Sequence, residues 1–206
     1  MKGLSMKHPV PVWARVCGLL CLCLSPLSQA KAPPAVRAVR LTAQEVEALK
    51  DLGPVEDRCK RPEVIADQSF RLQQKESRLD GAMLVSISCR SDGYADQVRF
   101  ALYRDGKRAQ LMPEHRANTW AIDQVEALSF SDVDDDGLVD LVAIVSASAG
   151  AGPTAAVPFN VAGVWFQSAD GTFVADPKAD AILEKVREPS VRKAVAALRK
   201  AHVRQR

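Results

Sequence analysis

Residues 80–112 read DGAMLVSISCRSDGYADQVRFALYRDGKRAQLM, and this stretch decides the fold. Within it Leu84, Ile87 and Cys89 are interleaved with Ser86 and Ser88, and Val98, Phe100 and Leu102 fall on every second position. Successive side chains of a strand point to opposite faces, so this period marks strands with a buried side. The separators are Asp80-Gly81, Asp92-Gly93 and Asp105-Gly106. Aspartate tolerates the left-handed backbone and glycine adopts it freely, so the chain can reverse tightly at each pair. The stretch therefore predicts strands over 82–90, 96–104 and 108–112, joined as antiparallel hairpins.

The flanks extend this pattern. Upstream, 69–77 reads as another strand, and 55–68 reads as irregular and contains Cys59. Thr42 and Glu45 have the spacing of a helix capping box, with Val46 and Leu49 on one face behind it. A short helix is predicted over 43–52, stopped by Gly53-Pro54. Downstream, further strands are predicted over 124–131, 138–147 and 158–167. Asp176 followed by Pro177 has the form of an N-cap with proline in the first helical position. Ala179, Ile182, Leu183 and Val186 then share a stripe. Pro189 breaks that helix. Val191, Val195 and Leu198 form a second stripe, backed by Arg192, Lys193, Arg199 and Lys200. The expected class is α+β, an antiparallel β-sheet with hairpins, one short N-terminal helix and two C-terminal helices.

The first 30 residues have a different character. They hold Lys2, Lys7 and Arg15 and no acid, then a short apolar run from Val16 to Leu24, then Ser28-Gln29-Ala30. A basic head, short apolar middle and small-x-small end make a secretory signal peptide. Cleavage is expected after Ala30, with Ala32 as the second choice. The run is too short for a membrane span. The residues before Cys17, Cys21 and Cys23 are Val16, Leu20 and Leu22, which do not fit lipid attachment. Residues 31–41 read as a flexible leader, and 42–206 as a single domain. No stable membrane span is expected once 1–30 are removed, and the location is periplasmic or secreted.

Removal of this segment changes the charge. It takes three of the 28 Lys and Arg residues and none of the 25 acids, leaving 25 of each. A neutral mature chain lacks the basic surface that general nucleic-acid binding requires. Charge is nevertheless unevenly placed. From Ala117 to Pro177 there is no Lys or Arg, while nine acids occur: Asp123, Glu126, Asp132, Asp134, Asp135, Asp136, Asp140, Asp170 and Asp176. Two poles are expected, an acidic one here and a basic one at the C-terminal helices. Of five cysteines only Cys59 and Cys89 lie beyond the signal segment. In an oxidising compartment they are expected to pair. The closed loop of about 30 residues would contribute about 3–4 kcal/mol in the chain-entropy model.

Residues 130–142, FSDVDDDGLVDLV, carry the clearest chemical signal. Asp132, Asp134, Asp136 and Asp140 occupy positions 1, 3, 5 and 9 of a calcium loop, with Gly137 at position 6. Calcium takes six to eight oxygens, and alternate carboxylates on a tight loop supply them. The carbonyl of Leu138 would be a further ligand, and Asp140 would act directly or through a water. Position 12, a glutamate in an EF-hand, is Ala143, and the flanks are strand-like. The pattern D-x-D-x-D-G-x-x-D-L ahead of an apolar strand resembles the calcium loops of FG-GAP and VCBS-type repeats. That resemblance implies a β-hairpin loop of an extracellular protein, with Asp132, Asp134, Asp136, the Leu138 carbonyl and Asp140 as ligands. A single copy gives no support to a propeller.

Other features carry less. His115 reads as a surface histidine, and with His202 alone it cannot form a histidine metal cluster. Asp123 and Glu126 have no context for a glycosidase pair. Trp120 and Trp165 read as core or half-buried rather than as sugar platforms. No G-x-S-x-G elbow occurs. The expected function is a non-enzymatic calcium-binding module that recognises an envelope polymer or another protein. The alternatives are a periplasmic enzyme inhibitor presenting the loop 148–158, and a hydrolase with structural calcium.

Overall fold

In the computed structural model the alternation at 82–104 becomes two paired strands, β4 (Met83–Arg90) and β5 (Gln97–Arg104). The structure describes residues 36–49, 55–56, 59, 61–75, 77–90, 96–149 and 157–201. Asp105 and Gly106, at φ 49° and 73°, turn the chain from β5 into β6 (Lys107–Leu111). Arg104 pairs with Lys107 across this two-residue turn, the geometry that matches strand twist. Asp92-Gly93 lies outside the described residues.

Three further strands complete the first sheet: β1 (Arg37–Arg40), β2 (Arg61–Val64) and β3 (Phe70–Gln73). Its order is β1-β3-β4-β5-β6, with β2 also paired to β4. Two of these differ from the sequence reading. Arg37–Arg40 was expected to be a flexible leader, yet it pairs antiparallel with β3. Arg61–Val64 was expected to be irregular, yet it pairs with Ile87–Arg90. Both are short edge segments with little burial, so backbone pairing holds them and no apolar pattern announces them.

The remaining strands form a second sheet, so the expected single sheet is divided in two. β7 (Ala121–Ser131), β8 (Asp140–Ser148), β9 (Phe159–Gln167) and β10 (Phe173–Val174) lie in the order β10-β9-β8-β7. β8 is buried on both faces, and its residues divide by parity. Leu141, Ala143, Val145 and Ala147 join Leu84, Phe100, Leu102 and Trp165 in the core between the sheets. Val142 and Ile144 face the other way, toward helices.

Those helices are α2 (Pro177–Leu183), which begins as the sequence predicts, and α3 (Val191–Lys200). Asp176 accepts the Lys178 amide, and Ser190 caps α3. Leu183, Ala194 and Leu198 are the buried contacts on Val142, Ile144 and Val164. Full burial of one such leucine contributes about 1.5–3 kcal/mol.

The first sheet is covered on its outer side by α1 (Ala43–Ala48) and the segment carrying Cys59. Thr42 and Glu45 form the expected capping box, and Glu45 also pairs with Arg71 of β3, whose Nε lies at 2.8 Å. Residues 50–54, where the helix stop was expected, lie outside the described residues. Cys59 and Cys89 are disulfide-bonded as expected, tying this cover to the central strand β4. Arg99 of β5 enters the same layer and meets Glu56 at 2.8 Å. The layers are thus helix, sheet, sheet, helices. The acidic loop joins β7 to β8 at one end of the second sheet.

Candidate metal centre

The loop from Asp132 to Val139 is shaped by its own carboxylates. Asp132 Oδ1 and Oδ2 accept the amides of Asp136 and Gly137 at 3.1 and 2.9 Å. Asp136 Oδ1 accepts the Leu138 amide at 2.8 Å. Gly137 has φ 83° and Asp135 has φ 59°. Glycine takes that conformation without steric cost, and aspartate is among the side chains that tolerate it.

Two valines fix the loop in the body of the protein. Val133 is buried in the layer beneath α2 and α3, and Val139 is buried at the loop's end. Arg199 of α3 donates from Nη2 to the Asp132 carbonyl at 2.7 Å. Gln167 of β9 accepts the Val139 amide through Oε1 at 2.9 Å. Neither Arg199 nor Gln167 was visible as part of the site in the sequence, because each arrives from a distant segment.

Asp132, Asp134 and Asp136 converge. One carboxylate oxygen from each lies within 4.8 Å of the others. Two oxygens bound to one calcium at about 2.3–2.6 Å can be no further apart than about twice that distance. The triad meets this limit and can hold a metal ion. Burial falls along it, from buried Asp132 through half-buried Asp134 to exposed Asp136, so the cluster opens to solvent on one side.

Asp140 is placed differently. It is buried, and each oxygen accepts one amide, Val133 at 2.8 Å and Gln167 at 3.0 Å. These bonds close the base of the loop and lock it to β9. Burial pushes the Asp140 carboxyl up to about 7; the two amide bonds pull it down, and the charges of Asp134 and Asp136 push it further up. Leu138, the expected carbonyl ligand, sits half-buried between Gly137 and Val139.

The lesser candidates are also resolved. His115 is not on the surface. It is 2% exposed, with its ring against Phe100 and Trp165. Its Nδ1 accepts the Ala117 amide at 2.9 Å, and Nε2 faces the backbone of Gly163, which has no side chain to displace it. Trp165 is core, with its indole N–H on the Pro113 carbonyl, and Trp120 is half-buried. Asp123 and Glu126 are exposed on β7. Most of the loop 148–158, like residues 1–30 and His202, lies outside the described residues. Among the described residues no helix is long and apolar enough to cross a membrane. No protein-family model, curated protein or solved structure matches the chain. The likeness to FG-GAP and VCBS-type loops therefore rests on residues 130–142 alone.

Proposed function

We propose that the chain is an exported, non-enzymatic module that recognises an envelope polymer or another protein and is braced by one calcium ion. The observation that carries this reading is the convergence of Asp132, Asp134 and Asp136. Their carboxylates and the Leu138 carbonyl supply the oxygens, and Asp140 holds the loop closed and contributes directly or through a water. A set of hard oxygens on a flexible loop suits calcium better than magnesium, which demands near-ideal octahedral geometry. Calcium offsets two of the three negative charges that otherwise repel one another. The Cys59–Cys89 disulfide supports an oxidising compartment, in line with the signal-like residues 1–30. The non-enzymatic part rests on the sequence, which has neither a nucleophile elbow nor a paired nucleophile and base.

Thermal unfolding tests the metal. The purified protein is unfolded in chelator, then with calcium or magnesium. A site with Kd on the order of 1 mM, at about 10 mM calcium, gains about 1.4 kcal/mol. For a chain of this size that raises the midpoint by about 3–5 °C. A rise with calcium alone supports the reading. An equal rise with magnesium removes the calcium assignment, and no rise removes the site.

A further inference from the structure

β8 pairs along the length of β9, whereas β10 pairs only with Phe166 and Gln167, so among the described residues the outer edge of β9 at Phe159–Val161 has no strand beside it. There the 3-10 turn Arg116–Thr119 and the corner between α2 and α3 enclose a cleft of about 220 Å³. Its apolar lining includes Trp120, Phe159 and Leu183, and its polar lining is Arg116, Asn160 and Glu184.

Trp120 and Phe159 meet edge to face, centroids 5.3 Å apart and planes at 89°. Both are half-buried, so each ring leaves area on the cleft wall. The contrast with Trp165 is informative. Trp165 is 1% exposed and its indole N–H is satisfied by Pro113, as a core tryptophan requires. Among the described residues no acceptor takes the indole N–H of Trp120, and no protein group pairs with the Asn160 amide or the Glu184 carboxylate. Arg116 spends one N–H, from Nη1 to the Asp180 carbonyl at 3.0 Å, which fixes the guanidinium at the rim.

The rim therefore offers donors and acceptors around an aromatic wall, with one positive and one negative side chain in the lining. That balance favours an uncharged, hydroxyl-rich ligand over an ion. The volume is below the roughly 300–1,000 Å³ that encloses a drug-sized molecule, and suits a single ring. We propose that this cleft is a saccharide subsite, in which one sugar ring lies against Trp120 and Phe159 while Arg116, Asn160 and Glu184 take its hydroxyls. It lies outside the acidic loop and does not depend on the metal.

Indole N–H resonances of the purified protein test this, with Trp120 assigned through Trp120→Phe. The probes are glucose and N-acetylglucosamine, with acetate and indole as an anion and an aromatic control, in chelator and again in calcium. The expected result is a saturable shift of the Trp120 signal in the millimolar range with a sugar, while Trp165 stays in place. Asn160→Ala and Glu184→Gln, at exposed positions, should each weaken it by roughly fivefold, the cost of one hydrogen bond, without moving the unfolding midpoint. No saturable shift with either sugar overturns the proposal. So does a shift undiminished in both variants, or one produced only by acetate or indole.

Discussion

Arg199, in the last turn of α3, donates from Nη2 to the backbone carbonyl of Asp132 at 2.7 Å. The basic pole of the chain thus reaches the acidic pole through a backbone oxygen of the loop. The same residue pins the first position of the loop to the helices that cover the second sheet.

Arg199→Ala should therefore act on the loop more than on the helix. One charge-assisted bond to a partly buried carbonyl is lost, at about 0.5–1.5 kcal/mol. Calcium titrations read by unfolding midpoint should show half-saturation raised by about two- to tenfold. An unchanged calcium response would mean that the valine anchors hold the loop without it.

Asp136→Asn should produce two effects of opposite sign. The side-chain oxygen that accepts the Leu138 amide is kept, while one of three converging charges is removed. In chelator the variant should unfold at an equal or higher temperature, because repulsion is relieved. With calcium its midpoint should not rise. Asp135→Asn is the control, since Asp135 lies outside the triad and asparagine tolerates the same left-handed backbone. It should keep the full calcium response.

The parts of this molecule that could be read in the sequence are those set by local periodicity. β4, β5 and β8 alternate between two buried faces, and Thr42 and Asp176 cap their helices through neighbouring residues. The acid ladder was legible for the same reason, since three carboxylates two residues apart converge through the loop's own turns. Division into two sheets was not legible, because it depends on which strands pair beyond Leu111. The β1 segment RAVR shows no apolar period, and its strand character comes from β3. His115 was misplaced because its burial depends on Gly163, a residue on another element whose missing side chain leaves room for the ring.

Gly163→Ala tests that last relationship. A Cβ on residue 163 would stand 2.5 Å from His115 Nε2, and the ring is enclosed by Phe100 and Trp165. Overpacking of this kind costs about 1–3 kcal/mol. Denaturant unfolding of Gly163→Ala, His115→Ala and the double variant should show strong coupling, with the alanine at 163 far less costly once the imidazole is gone. Additive losses would place the strain elsewhere.

His115 should also make stability depend on pH. Burial first, and the nearby Arg116 charge second, hold its pKa down at about 3, against 6.5 in the unfolded chain. Between those values the unfolded state binds a proton that the folded state refuses, so stability falls as pH falls through this window. The slope is about 1.4 kcal/mol per pH unit from this one group. Asp140 opposes it there, because a raised carboxyl pKa lets the folded state hold the extra proton. Glu45, lowered to about 2, adds acid sensitivity only below its ordinary range of about 4.5. The difference between wild type and His115→Phe isolates the imidazole. Measured in denaturant with chelator, the wild type should lose about 1.6 kcal/mol of stability relative to the variant as pH falls from 6.5 to 5. Parallel curves would mean that the folded protein accommodates the protonated ring, and that the pairing of His115 with Gly163 excludes side chains without excluding charge.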